Sequence, residues 1–225
     1  MLINADFSRP ATVTAAEHRW VASPQAGVER VMLDRVGAER ASATSLVRYA
    51  PDSVFPAHGH PGGEEILVLS GTFSDESGHY GPGWYLRNPP GSAHSPASAE
   101  GALIFVKLWQ MAADDSATVR IDTRDPRTWQ RGGAHELCPL YQSAGEQVSL
   151  QRLGGGEALN PDMRGGAELL VLVLEGTLSD GRGILERGAW LRLPPGSASA
   201  LRAGPEGLTL YLKTGHLSAL TGMAP

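Results

Sequence analysis

The sequence predicts an all-β chain made of two tandem copies of one jelly-roll β-barrel. Three observations carry this. The chain repeats its own motifs at an offset of 105 residues. Short apolar runs alternate with turns rich in Gly, Pro, Asp and Ser, and no stretch sustains a 3.6-residue period. Gly (28) and Pro (16) together make up about a fifth of the 225 residues, against roughly an eighth in an average protein. That excess suits many short strands joined by tight turns, not a helical bundle.

The repeat is read directly. SGTFSD (70–75) matches EGTLSD (175–180), and GWYLRNPPGSA (83–93) matches GAWLRLPPGSA (188–198). Further out, SLVR at 45–48 matches SLQR at 149–152, and EGALIFVK (100–107) matches EGLTLYLK (206–213). Trp20 and Trp129 stand upstream of each copy. The expected division is a first domain at 1–112 and a second at 113–225, with the polar stretch 112–124 as a linker. Within each copy, runs such as EILVLSG, ALIFVKLW and ELLVLVLEG read as strands, and a closed or doubled sheet disposes of their edges.

Composition excludes several function classes. The net charge is −5 with no basic cluster, so nucleic acid is not an expected partner. The single cysteine, Cys138, excludes an internal disulfide framework and any cysteine-based zinc cluster. No apolar run reaches the roughly 18 residues of a membrane helix. The first residues lack the basic start and apolar stretch of a signal peptide, so a cytoplasmic location is expected.

The chemistry concentrates in HGHPGGEEILVLSG (58–71). On a strand, positions i and i+2 share a face, so His58 and His60 enter the same space. Pro61-Gly62-Gly63 reads as a turn, and Glu64 opens the next strand. His94 follows a second rigid turn, NPPGSAH. Three imidazoles and one carboxylate can occupy four positions of a divalent-metal shell. Glu65 has the opposite strand parity to Glu64 and is expected to face away in a structural role.

These residues carry a resemblance. H-x-H-x3-E-x6-G fits His58, His60, Glu64 and Gly71, and G-x5-P-x-G-x2-H fits Gly83, Pro89, Gly91 and His94. Together they resemble the two signature motifs of the cupin superfamily, a jelly-roll β-barrel with metal held inside. Two motif positions depart: Asp52 stands where a Gly is usual, and Ser98 where an Asn is usual. The first copy resembles the cupin domain of ChrR-type anti-sigma factors. That resemblance implies zinc held by His58, His60, Glu64 and His94. The regulators of that family also carry a His/Cys/Cys anti-sigma domain, which this sequence does not contain, so sigma-factor binding is not expected.

The second copy is an internal comparison. His58 and His60 fall on Pro161 and Met163, Glu64 on Leu169, and His94 on Ser199. The turn-building glycines and prolines remain while the ligand types are gone. One divalent metal per chain is therefore expected, zinc first, with Fe, Ni or Mn also compatible with the donors. Arg48/Arg152, Arg87/Arg192 and Lys107/Lys213 occur in both copies and are expected to be structural. His18, His79, His135 and His216 match no motif; Cys138 reads as a small buried residue. Tyr80, Trp84 and Tyr85 read as core or pocket wall, and Asp75, Glu76 and Asp180 as turn residues.

Three functions remain in view. The first is a ChrR-like sensory or regulatory metal-binding bicupin. The second is a metal-dependent cupin enzyme, such as an Fe or Zn dioxygenase acting on a small molecule. The third is a non-catalytic small-ligand-binding or scaffold protein. The near-continuous apolar runs ILVL and LLVLVL call for cover on both faces, which two barrels packed together or a homodimer would give; a homodimer is the expected state. No catalytic residue can be named from sequence.

Overall fold

The computed structural model describes residues 1–38, 41–133, 135–159, 168–195, 197 and 201–215. Pro161, Met163, Ser199 and His216 lie outside them. Among the described residues the helical pieces are two 3₁₀ turns, Ala15–Glu17 and Pro126–Thr128. Among the described residues no helix is long and apolar enough to cross a membrane. The rest of the regular structure is antiparallel β, as predicted.

The first compact unit contains Met1–Ala5 and Arg19–Arg124. Its main sheet runs in the order Leu2–Ile3, Val28–Gly37, Ala41–Tyr49, Ala102–Leu108, Glu64–Gly71, Trp84–Asn88 and Val119–Asp122. A smaller sheet joins Gly78–Tyr80, Phe73–Asp75, Ala97–Ser98 and Ser53–Val54, and His58–His60 pairs with Ser92–His94. Strand parity decides what lies inside. Ile66 and Val68 bury against Phe73, Leu86, Ile104 and Val106, each contributing roughly 1.5–3 kcal/mol. Glu64 shares their parity and so opens into the same interior.

The second unit contains Asp6–His18 and Asp125–Pro225. Its main sheet runs Gln130–Gly132, His135–Gln142, Gln147–Leu153, Arg202–Thr214, Leu169–Ser179, Trp190–Leu193 and Ala11–Val13. Its core is dominated by leucines, including Leu169, Leu178, Leu191 and Leu210.

The division at 112/113 needs correction. The stretch read as a linker supplies the strand Val119–Asp122, which pairs with Trp84–Asn88 of the first unit. Conversely, Ala11–Val13 pairs with Trp190–Leu193 of the second. The polar composition of 112–124 concealed a strand, because an edge strand tolerates polar residues on its open face.

Shared residues hold equivalent places in both units. The Arg48 guanidinium stacks 4.3 Å from the Trp20 ring and pairs with Glu29; Arg152 stacks 3.8 Å from Trp129 and pairs with Glu136. Gly71 and Gly176 have φ of +67° and +71°, and a Cβ on either would stand 2.0 or 2.1 Å from the carbonyl oxygen of Gly101 or Gly207. Backbone cannot yield as a side chain can. Gly176→Ala is therefore expected to lower stability by about 2 kcal/mol or more, read as a lower melting temperature; a loss under about 0.5 kcal/mol would refute this account.

Candidate metal centre

Local geometry assembles the centre from two short paired strands and the start of a long one. His58–His60 pairs with Ser92–His94 in the register His58↔His94 and His60↔Ser92. Gly63 N–H and Gly91 N–H both donate to His60 C=O, at 3.0 Å each, so both turns are tied to one carbonyl. Gly62 and Gly63 leave no room for a Cβ: one would meet Trp109 at 2.6 Å, the other Met111 at 2.4 Å. Gly62 is thus required by close packing against Trp109, and Gly63 by its positive φ. Asp52 takes φ of +56°, so the usual motif glycine is replaced by a residue that tolerates the left-handed region. Ser98, the other departure, donates to Thr72 C=O at 2.7 Å.

The structure brings together the three histidines singled out from sequence and sets Glu64 beside two of them. Nitrogen atoms of His58, His60 and His94 lie within 4.8 Å of one another. The Glu64 carboxylate is 3.5 Å from His60 Nε2 and 3.4 Å from His94 Nε2. His60, Glu64 and His94 are buried and His58 is exposed, so the cluster has an inner wall and an open side. His58 Nδ1 sits 3.1 Å from Pro56 C=O. A carbonyl only accepts, so Nδ1 carries a proton, and Nε2 is the ring nitrogen left to face a cation. Burial, and then the charge of His58, hold the His60 imidazole down at about 4. Burial likewise lowers His94, partly opposed by Glu64. Both rings are then neutral donors at pH 7. Burial raises the Glu64 carboxyl, while His94 and the Asn88 hydrogen bond pull it back.

These atoms fit a divalent cation. His60 Nε2 and His94 Nε2 face each other at 3.0 Å. Two neutral imidazoles at that distance can share one N–H, but both lone pairs find use together only in front of a cation. A carboxylate oxygen completes the convergence, a donor set compatible with Zn, Fe, Ni or Mn.

Glu65 turns away as parity requires: it is buried and paired with Arg87, which also meets Asp115. Three neighbours of the centre escaped the sequence reading. Asp75, expected in a turn, is the last residue of the strand Phe73–Asp75; one oxygen accepts from Ser77 N–H in the turn that follows, and the other is 3.5 Å from His94 Nδ1. Asn88 donates to Glu64 at 3.0 Å, and Arg120 donates to Asn88 at 2.7 Å. Arg120 lies in the stretch taken for a linker, where no motif marked it. Beside His94 is a cavity of about 270 Å³, lined by Asp75, Glu76, Asn88, Ser92 and Arg120 among others. In the second unit Leu169 is a buried core residue at the position of Glu64.

The family model for the ChrR cupin-like domain matches residues 8–112. That match covers the first copy; the fold of the whole chain is that of a bicupin. Solved structures agree on the fold of this bicupin across most of its length. A cupin 2 conserved barrel protein from Leptotrichia buccalis aligns with a TM-score of 0.59 at 17% identity, covering 86% of this chain and 91% of that one. A Nostoc punctiforme protein provisionally described as a dioxygenase gives 0.67 at 14%, covering 95% and 81%. The Escherichia coli pirin YhhW, solved with nickel(II), gives 0.67 at 11%, covering 92% and 98%. No curated protein matches by sequence.

Proposed function

We propose that this bicupin binds one divalent metal in its first barrel, through His58, His60, Glu64 and His94, and acts as a ChrR-like sensory or regulatory protein. The observation that carries this is the convergence of the three histidines and Glu64 inside a domain that matches the ChrR cupin. Bound metal would supply a Lewis-acid centre with positions left for a small molecule. The protein's own residues do the rest: the two neutral buried imidazoles and the carboxylate hold the ion, and exposed His58 borders the open side. A small-molecule ligand and a second copy of the chain are the proposed partners. Cys138 is the only cysteine in these 225 residues, so they hold no His/Cys/Cys motif for a sigma factor.

An enzymatic reading is favoured by one feature, the cavity beside His94, which could admit a substrate next to the ion. The Nostoc neighbour is consistent with it in fold only. Metal content and oxygen uptake separate the readings. About one equivalent of metal per chain is expected by elemental analysis, zinc foremost. Two equivalents would sink the view that the second barrel is empty. Tightly held Zn, with no oxygen consumed after Fe(II) reconstitution in the presence of thiol, phenol or β-diketone substrates, supports the sensor; substrate-dependent oxygen uptake supports the enzyme.

A further inference from the structure

The two barrels have equivalent cavities, and comparing them separates residues of the fold from residues of the centre. The first is the one beside His94. The second, of about 300 Å³, is lined by Thr12, Asp180, Leu193 and Ser197 among others. The register makes the equivalences explicit. Asn88 pairs with Glu64, and Leu193 pairs with Leu169. Arg120 stands opposite Leu86, and Thr12 opposite Leu191. Asp75 and Ser92 persist as Asp180 and Ser197. Asp180 also accepts from turn N–H groups, as Asp75 does, which explains its retention without any metal. Glu64, Asn88 and Arg120, by contrast, are replaced together by Leu169, Leu193 and Thr12.

Hydrogen-bond direction gives the joint replacement a reason. A guanidinium only donates, so Arg120 Nη2 must meet the oxygen of the Asn88 amide. That fixes the otherwise ambiguous flip of the amide and turns Nδ2 toward Glu64. The oxygen it reaches, Oε2, is the one facing His60 and His94. Asn88 is itself 5% exposed, so water does not offer the carboxylate an equal partner there. Arg120 is held in turn by Arg87 C=O, Val119 C=O and the Tyr80 hydroxyl.

We infer that Arg120 and Asn88 are positioning residues of the metal centre, acting in series to hold the Glu64 carboxylate toward the histidines. The inference rests on the metal-binding reading above. It also gives the strand Val119–Asp122, which lies beyond the matched domain, a part in the centre.

The test uses the full chain, Zn(II) affinity by chelator competition, the Co(II) visible spectrum and the melting temperature of the metal-free protein. Asn88→Leu and Arg120→Thr install the residues of the second barrel. Each is expected to weaken Zn(II) about 10- to 100-fold and to shift the Co(II) bands. The double variant should be no weaker than the weaker single, because the residues act in series. Arg120→Thr also gives up bonds to Tyr80 and two carbonyls, so it can lower the melting temperature; Asn88→Leu keeps those bonds and isolates the effect on the carboxylate. Wild-type Zn(II) affinity and an unshifted spectrum in Asn88→Leu overturn the inference, and fully additive losses overturn the series arrangement. A wild-type chain that takes up neither ion overturns the metal reading itself, and the inference with it.

Discussion

His60→Ala is expected to weaken metal binding by two to three orders of magnitude while the barrel stays folded. The ring is 7% exposed and lies between His94 and Glu64, so it contributes an inner donor that water replaces poorly. Structural zinc sites bind with about 10–16 kcal/mol in total, which spread over four donors is about 2.5–4 kcal/mol each, or on the order of 100- to 1000-fold. Truncation leaves Glu64 bonded to Asn88 and His94 facing Asp75, so the remaining polar groups keep partners. His58→Ala, on the exposed side, should cost less. The measurement is chelator competition with unfolding followed in parallel. Full metal retention by a folded His60→Ala protein would falsify the centre.

The second large effect is on stability. Arg87→Met should cost about 3–5 kcal/mol, because it takes the guanidinium from two carboxylates: Glu65, buried on its strand, and Asp115, in the loop after Ala102–Leu108 with its side chain only 6% exposed. In a chain of this size that corresponds to a melting temperature lower by about 6–20 °C. Arg127→Ala is the control. Arg127 pairs with Asp125 across an exposed surface, its side chain 89% accessible, and water screens such a pair so that its loss changes stability little. Equal losses in the two variants would show that burial does not govern the Arg87 pair.

The fold and the inner donors were legible because their signals are periodic or paired. The repeat marked two barrels, and strand parity separated Glu64 from Glu65 before any coordinates. What the sequence hid has one physical origin. Asp75, Asn88 and Arg120 act through hydrogen bonds across strands whose pairing is set by topology, and residues 32 positions apart, such as Asn88 and Arg120, carry no spacing signature. Asn88 was nonetheless within reach: the contrast RNPPG against RLPPG is visible in the repeat. Arg120 was not, because a polar edge strand and a linker have the same composition.

The pairing of Ala11–Val13 with the second barrel has a consequence for how the chain can be divided. The arm Asp6–His18 precedes nearly all of the first barrel, yet it belongs to the second. No single truncation point yields two whole pieces. A fragment ending at Arg124 retains the first barrel and an orphaned arm, and its complement starts at Asp125 without the strand that borders Trp190–Leu193. The two barrels are thus inseparable by any one cut, although the candidate centre lies in the first.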